Sequence, residues 1–169
     1  MIRRSLAVFC CLLLLLPIGG HARGFTFTDT AGKKLALSDF KGKWVLINFW
    51  ATWCPPCLKE IPDLVSLYES RKDVMIIGVA MDYRDPKTVL KYVKSMSIPY
   101  PVVLGDKKTA AQIGPVSMLP TTYVFDPEGN PAIYKVGLVS RESLEEFMRE
   151  NSKNPPDQRP SDTGQQKYR

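Results

Sequence analysis

The chain has a single histidine, His21, and only four cysteines, two of which, Cys10 and Cys11, share that histidine's N-terminal stretch. The stretch reads as a leader. Met1-Ile2-Arg3-Arg4 is a short basic start, Leu6 to Ile18 is apolar with Leu12–Leu16 at its centre, and Gly19-Gly20-His21-Ala22 offers a cleavage region ending at Ala22. The apolar run is shorter than the roughly 20 residues a membrane span needs, so residues 1–22 are expected to be a signal peptide, an uncleaved anchor being the competing reading. Once the leader is cut, no histidine and only Cys54 and Cys57 are left. A Ser-His or Cys-His nucleophilic pair is then excluded, as is a histidine-containing zinc or copper site. Two cysteines make at most one bridge, which excludes a scaffold stapled by several disulfides.

A strong charge bias is also lacking. Lys and Arg number 23 against 17 Asp and Glu, a net +6, with no basic block. Nucleic acid is therefore not an expected partner. The last residues, 151–169, hold Pro, Gln, Asp and Lys with almost nothing to bury, and are expected to be a disordered tail. Residues 24–150 remain, enough for one domain with its own core.

That span alternates between strand and helix signals. Short strands are expected at Phe25–Phe27 and Leu35–Leu37, around a turn at Gly32. Trp44–Trp50 is nearly continuously apolar, as in a central strand covered on both faces, and Val74–Ala80 reads likewise. A helix is predicted from Pro55 to Ser70, with Ile61, Leu64, Val65 and Leu67 inward and a kink at Pro62. Asp85-Pro86 is a cap followed by a first-turn proline, opening a helix with Val89, Leu90, Val93 and Met96 on one side. Further on come a strand at Pro101–Leu104, a short helix at Thr109–Ile113, and a hairpin of Thr121–Phe125 with Pro131–Lys135. Ser140 caps a last helix whose apolar side is Leu144, Phe147 and Met148. The pattern predicts a three-layer α/β domain.

The chemistry centres on Phe49-Trp50-Ala51-Thr52-Trp53-Cys54-Pro55-Pro56-Cys57, a dithiol between a buried strand and a helix. Leu58 stands where c-type haem attachment needs histidine, and a four-cysteine zinc site lacks its second pair. Cys54 is expected at the helix N-terminus, where unpaired N–H groups favour a thiolate, so it is the attacking nucleophile. Cys57, one turn on, is expected to face inward and resolve the mixed disulfide. A purely structural disulfide is the bland alternative, but so short a loop stabilises little. Trp50 reads as core and Trp53 as part of an exposed apolar docking surface. Glu60, three residues beyond Cys57, is either a solvated carboxylate or, if buried, a proton carrier with a raised pKa. Pro120 is a candidate cis-proline.

These segments, with Glu60, Pro62 and the later Leu119-Pro120-Thr121-Thr122-Tyr123-Val124-Phe125-Asp126 and Gly129, resemble the thioredoxin-like proteins of the bacterial cell envelope. The match is to the TlpA/ResA branch of the alkyl hydroperoxide reductase/thiol-specific antioxidant superfamily. It spans about residues 24–150 and implies a thioredoxin-like fold, a central mixed sheet flanked by helices, with an extra helix–strand insertion over 82–106. It implies that Cys54 is an exposed nucleophile and Cys57 the resolving cysteine. Glu60 then acts in their proton transfers, Pro120 is a cis-proline opposite the dithiol, and the Leu119 backbone pairs with substrate. Trp53, Pro55, Met118 and Leu119 are the expected substrate-contacting residues.

By the same resemblance the protein reduces protein disulfides in the periplasm or cell envelope, as a monomer without cofactor or metal. Its implied partners are protein thiols and disulfides, apocytochrome c among them, with a membrane thiol transporter as electron donor. Peroxidase activity is not expected, because Ala51 and Ile47 occupy the places where peroxiredoxins need Thr or Ser and a supporting proline. The competing functions are a disulfide oxidase or isomerase of the same fold and a non-enzymatic metal carrier holding Cu(I) between the thiolates.

Overall fold

β3 (Trp44–Trp50) organises the molecule: all seven of its residues are buried and both its edges are paired. In the computed structural model, which describes residues 24–153, it is the middle strand of a five-stranded sheet ordered β5-β4-β3-β6-β7. β4 (Val74–Ala80) runs parallel to β3, and β5 (Val102–Leu104) parallel to β4. β6 (Thr121–Phe125) is antiparallel to β3, and β7 (Pro131–Val136) antiparallel to β6. β1 (Thr26–Thr28) and β2 (Lys34–Ala36) form a separate hairpin, joined to β5 by Thr30 N–H donating to Val102 C=O at 2.8 Å.

Side-chain alternation along β3 makes two cores. Trp44, Leu46 and Trp50 pack against α1 (Pro55–Ser70), α2 (Pro86–Ser95) and α4 (Arg141–Lys153). Val45, Ile47 and Phe49 pack with Phe25, Phe27 and Leu35 of the hairpin region and Ala110 of α3 (Lys107–Ala111). This is the expected three-layer fold, a mixed sheet flanked by helices. α2 and β5 lie in the 82–106 insertion and add the edge strand.

β3, α1, β4 and β6 fall where the sequence puts them. The short helix forms earlier than expected, at Lys107–Ala111, because Asp106 caps it: its Oδ1 accepts from Thr109 N–H (2.7 Å) and hydroxyl (2.8 Å). On α2 only Val89 is fully buried, and Leu90 is exposed, since the helix lies over the edge of the sheet. Pro62 is accommodated on the exposed side of an uninterrupted α1. α4 continues past Glu150, with Asn151 and Ser152 side chains donating to Phe147 and Met148 carbonyls. Residues 154–169, and residues 1–23 with the stretch expected to be a signal peptide, lie outside the described residues. Among the described residues no helix is long and apolar enough to cross a membrane.

The two ends of the sheet differ. At one, Gly24 and Phe25 meet the β6–β7 turn (Asp126–Gly129) around a cavity of about 300 Å³. At the other, the C-terminal end of β3 runs into the dithiol.

Candidate active site at the N-terminus of α1

Cys54 is the N-cap of α1, and its sulfur accepts the Cys57 N–H at 3.4 Å. The two sulfurs are joined, with 5.3 Å between Cα atoms, so this is the oxidised protein. Pro55 and Pro56 fill the first two helical positions and have no N–H to offer. The cap sulfur therefore has one main-chain donor, where an ordinary helix start offers several. Cys54 is not exposed as expected: it is 3% accessible, against 0% for Cys57. The bond to a fully buried sulfur holds it at the inner side of the helix start. Pro55, Pro56 and Trp53 (60% accessible) form the surface there instead.

Glu60 lies on the same face of α1 as Cys57 and is 1% accessible, which rules out the solvated carboxylate. Its Oε1 accepts from Asn48 Nδ2 at 2.7 Å, and its Oε2 from Val139 N–H at 2.9 Å. Burial pushes the carboxyl from its ordinary 4.5 up to about 6, with the Val139 N–H and then the Asn48 amide acting in the opposite direction. Val139 is held in place by the start of α4, where Arg141 N–H donates to Asp63 (3.2 Å) and its guanidinium to Ser66 (2.6 Å). Burial, and secondarily the charge of Glu60, raise the Tyr100 phenol.

The Leu119–Pro120 peptide is cis and Pro120 is buried. It precedes β6, whose Thr121 is paired with Phe49, so it stands at the dithiol end of the sheet. Thr121 hydroxyl donates to Met118 C=O (2.7 Å), and Gly137 N–H donates to Pro120 C=O (2.8 Å). Trp53, Met118 and Leu119 line one open groove of about 960 Å³, with Met81, Pro115 and Val116. Met118 is 61% accessible, and the Trp53 indole N–H is fixed to Asp82 C=O at 3.1 Å. Pro55 is exposed but does not line this groove. Trp50, 1% accessible, is core as expected. Among the described residues no three His, Cys, Asp or Glu side chains gather in a cluster.

Sequence reasoning missed Asn48, Thr122, Val139 and Met81. Asn48 carries a signal, as the one polar residue in the apolar run 44–50. Val139 takes part through its backbone, which leaves no trace in residue type.

A family model described as AhpC/TSA matches residues 18–131. The chain is 37% identical over 131 residues to the thiol-disulfide oxidoreductase ResA of Bacillus subtilis, covering 77% of this chain and 73% of that one. Among solved structures, the thiol:disulfide interchange protein of Chlorobium tepidum superposes with TM-score 0.68 at 29% identity, covering 75% of this chain and 92% of that one. StoA of Bacillus subtilis does so with TM-score 0.64 at 25% identity, covering 73% and 95%. With its dithiol at the start of α1 and these likenesses, the chain belongs to the AhpC/TSA family, as a thioredoxin-like thiol–disulfide oxidoreductase of the ResA type.

Proposed function

We propose that the protein is a disulfide reductase acting in the periplasm or cell envelope on exported proteins, an apocytochrome c disulfide among its clients. The observation that carries the direction of transfer is the single N–H donor on the Cys54 sulfur. A dithiol becomes oxidising when its reduced, thiolate form is stabilised. Here two prolines withhold donors from that thiolate, and a buried carboxyl lies one turn along the same face. Both features favour giving electrons away.

In the reaction, the Cys54 thiolate attacks one sulfur of a client disulfide. The client S–S bond breaks, a Cys54–client bond forms, and the second client sulfur leaves as a thiolate that takes up a proton. Cys57 then gives its proton to the Glu60 carboxylate and attacks the Cys54 sulfur. The mixed disulfide breaks, the Cys54–Cys57 bond forms, and the first client sulfur leaves as a thiolate, to be protonated in turn. Two electrons have passed to the client; of its two protons one is matched by that which Cys57 left on Glu60, released when the carboxyl resets, and the other comes from solvent, because Cys54 began as a thiolate. Trp53, Met118 and Leu119 offer the groove in which the client segment lies beside Pro120, while Pro55 is exposed next to the dithiol, outside the groove lining. A membrane thiol transporter resets the dithiol.

The equilibrium reduction potential of Cys54/Cys57, titrated against glutathione or dithiothreitol, tests the direction. A value below about −200 mV supports a reductant, and one near −120 mV makes the protein an oxidase.

A further inference from the structure

Asn48 is 0% accessible on the face of β3 whose other members, Trp44, Leu46 and Trp50, are all apolar. Its amide nitrogen donates twice, to Glu60 Oε1 at 2.7 Å and to Thr122 Oγ1 at 3.0 Å. Its Oδ1 is buried with no partner among the described residues. The amide is thus held by what its nitrogen gives and by nothing its oxygen receives. Turned over, it would set a carbonyl oxygen against a carboxylate oxygen. The structural alternative is a tie between β3 and β6, but Asn48 and Thr122 are already register partners in the β3–β6 ladder. The bond to Glu60 is not duplicated in this way.

We propose that Asn48 is a positioning residue that holds Glu60 as a deprotonated acceptor and thereby sets the pH at which it can take the proton of Cys57. The second half rests on the proton-carrier reading of Glu60 given above. The groups around this carboxyl are few. On its own helix Cys57 precedes it by one turn, the β7–α4 connection brings the Val139 N–H, and the segment before β5 carries the Tyr100 phenol, which Glu60's charge reaches. No Lys or Arg forms a salt bridge with Glu60 among the described residues. With no cation to set the balance, two neutral donors oppose the burial, and Asn48 is the one that a substitution can remove.

The experiment is a titration of the Glu60 carboxyl by ¹³C NMR in the oxidised protein, alongside the pH profile of disulfide exchange in the reduced one. Asn48→Ala is expected to raise the carboxyl midpoint by about one pH unit, a tenfold gain in proton affinity, and to move the exchange profile with it. Should that variant fail to fold, Asn48→Asp keeps the volume. It sets two carboxyls side by side, so one step of the coupled titration is expected well above the wild-type midpoint. Thr122→Val, which removes the other acceptor, is expected to shift it much less. A midpoint unmoved in Asn48→Ala or Asn48→Asp overturns the inference, as does a shift in Thr122→Val equal to that in Asn48→Ala. Glu60→Gln separates the two ideas. If it leaves the exchange profile unchanged, the proton-carrier reading fails, while the NMR midpoints still decide whether Asn48 sets the carboxyl.

Discussion

From β3, Val45, Ile47 and Phe49 point toward the hairpin and α3, whereas Trp44, Leu46, Asn48 and Trp50 point toward α1, α2 and α4. The first face is entirely apolar. The second carries Asn48, and through it Glu60 and Thr122, all buried. Among the described residues two buried side-chain polar atoms have no partner, Asn48 Oδ1 and Trp50 Nε1, and both belong to the second face. An unsatisfied buried polar group costs about 1–3 kcal/mol. One strand thus separates a side whose buried Thr121 is satisfied by Met118 C=O from one that tolerates unmet polar atoms. The buried carboxyl and its amide partner lie on the second side, whereas Met81, Val116 and Leu119 of the groove pack against the first.

Three substitutions test that division. The largest effect belongs to the apolar face: Ile47→Ala, at a fully buried site, is expected to lower unfolding stability by about 2–5 kcal/mol. Chemical denaturation measures that loss, and a reduction potential that moves with it would mean the two faces are not independent.

Glu60→Gln follows. The folded carboxyl binds its proton more tightly than an unfolded one, about 6 against 4.5. Its contribution is therefore complete below about pH 4.5 and is lost as the pH rises through 6, a fall of about 2 kcal/mol. Denaturation curves across that window should be flattened in the variant; an unchanged slope would place the titration elsewhere.

The smallest effect is expected from Pro56→Ala, which returns one N–H to the helix start. If the new donor stabilises the Cys54 thiolate by about 1.4 kcal/mol, the potential rises by about 30 mV. A lower potential in this variant would contradict the donor argument for direction.

Much of the sheet and of the helices on it was legible in the sequence. The apolar run 44–50 marks the central strand, and Asp85-Pro86 marks the start of α2. The dithiol was equally legible, since its type and spacing are local. The environment of Glu60 was not, because its partners lie twelve residues before it in Asn48 and seventy-nine after it in Val139. Burial of Cys54 was also misjudged: the helix-start rule gives the donors around a cap sulfur but not its depth once bonded to Cys57. α3 begins two residues before the expected Thr109, because the residue that caps it is Asp106.

Gly24 and Phe25 sit beside the β6–β7 turn, at the end of the sheet away from Pro120 and the dithiol. β3, seven residues long, separates these ends by about 20 Å. Anything joined ahead of Gly24, whether a leader, a fusion tag or a surface linker, therefore leaves from the pole opposite the reactive sulfurs. A chain immobilised through that end would present its dithiol outward, free to sample partners over a radius set by the length of the tether.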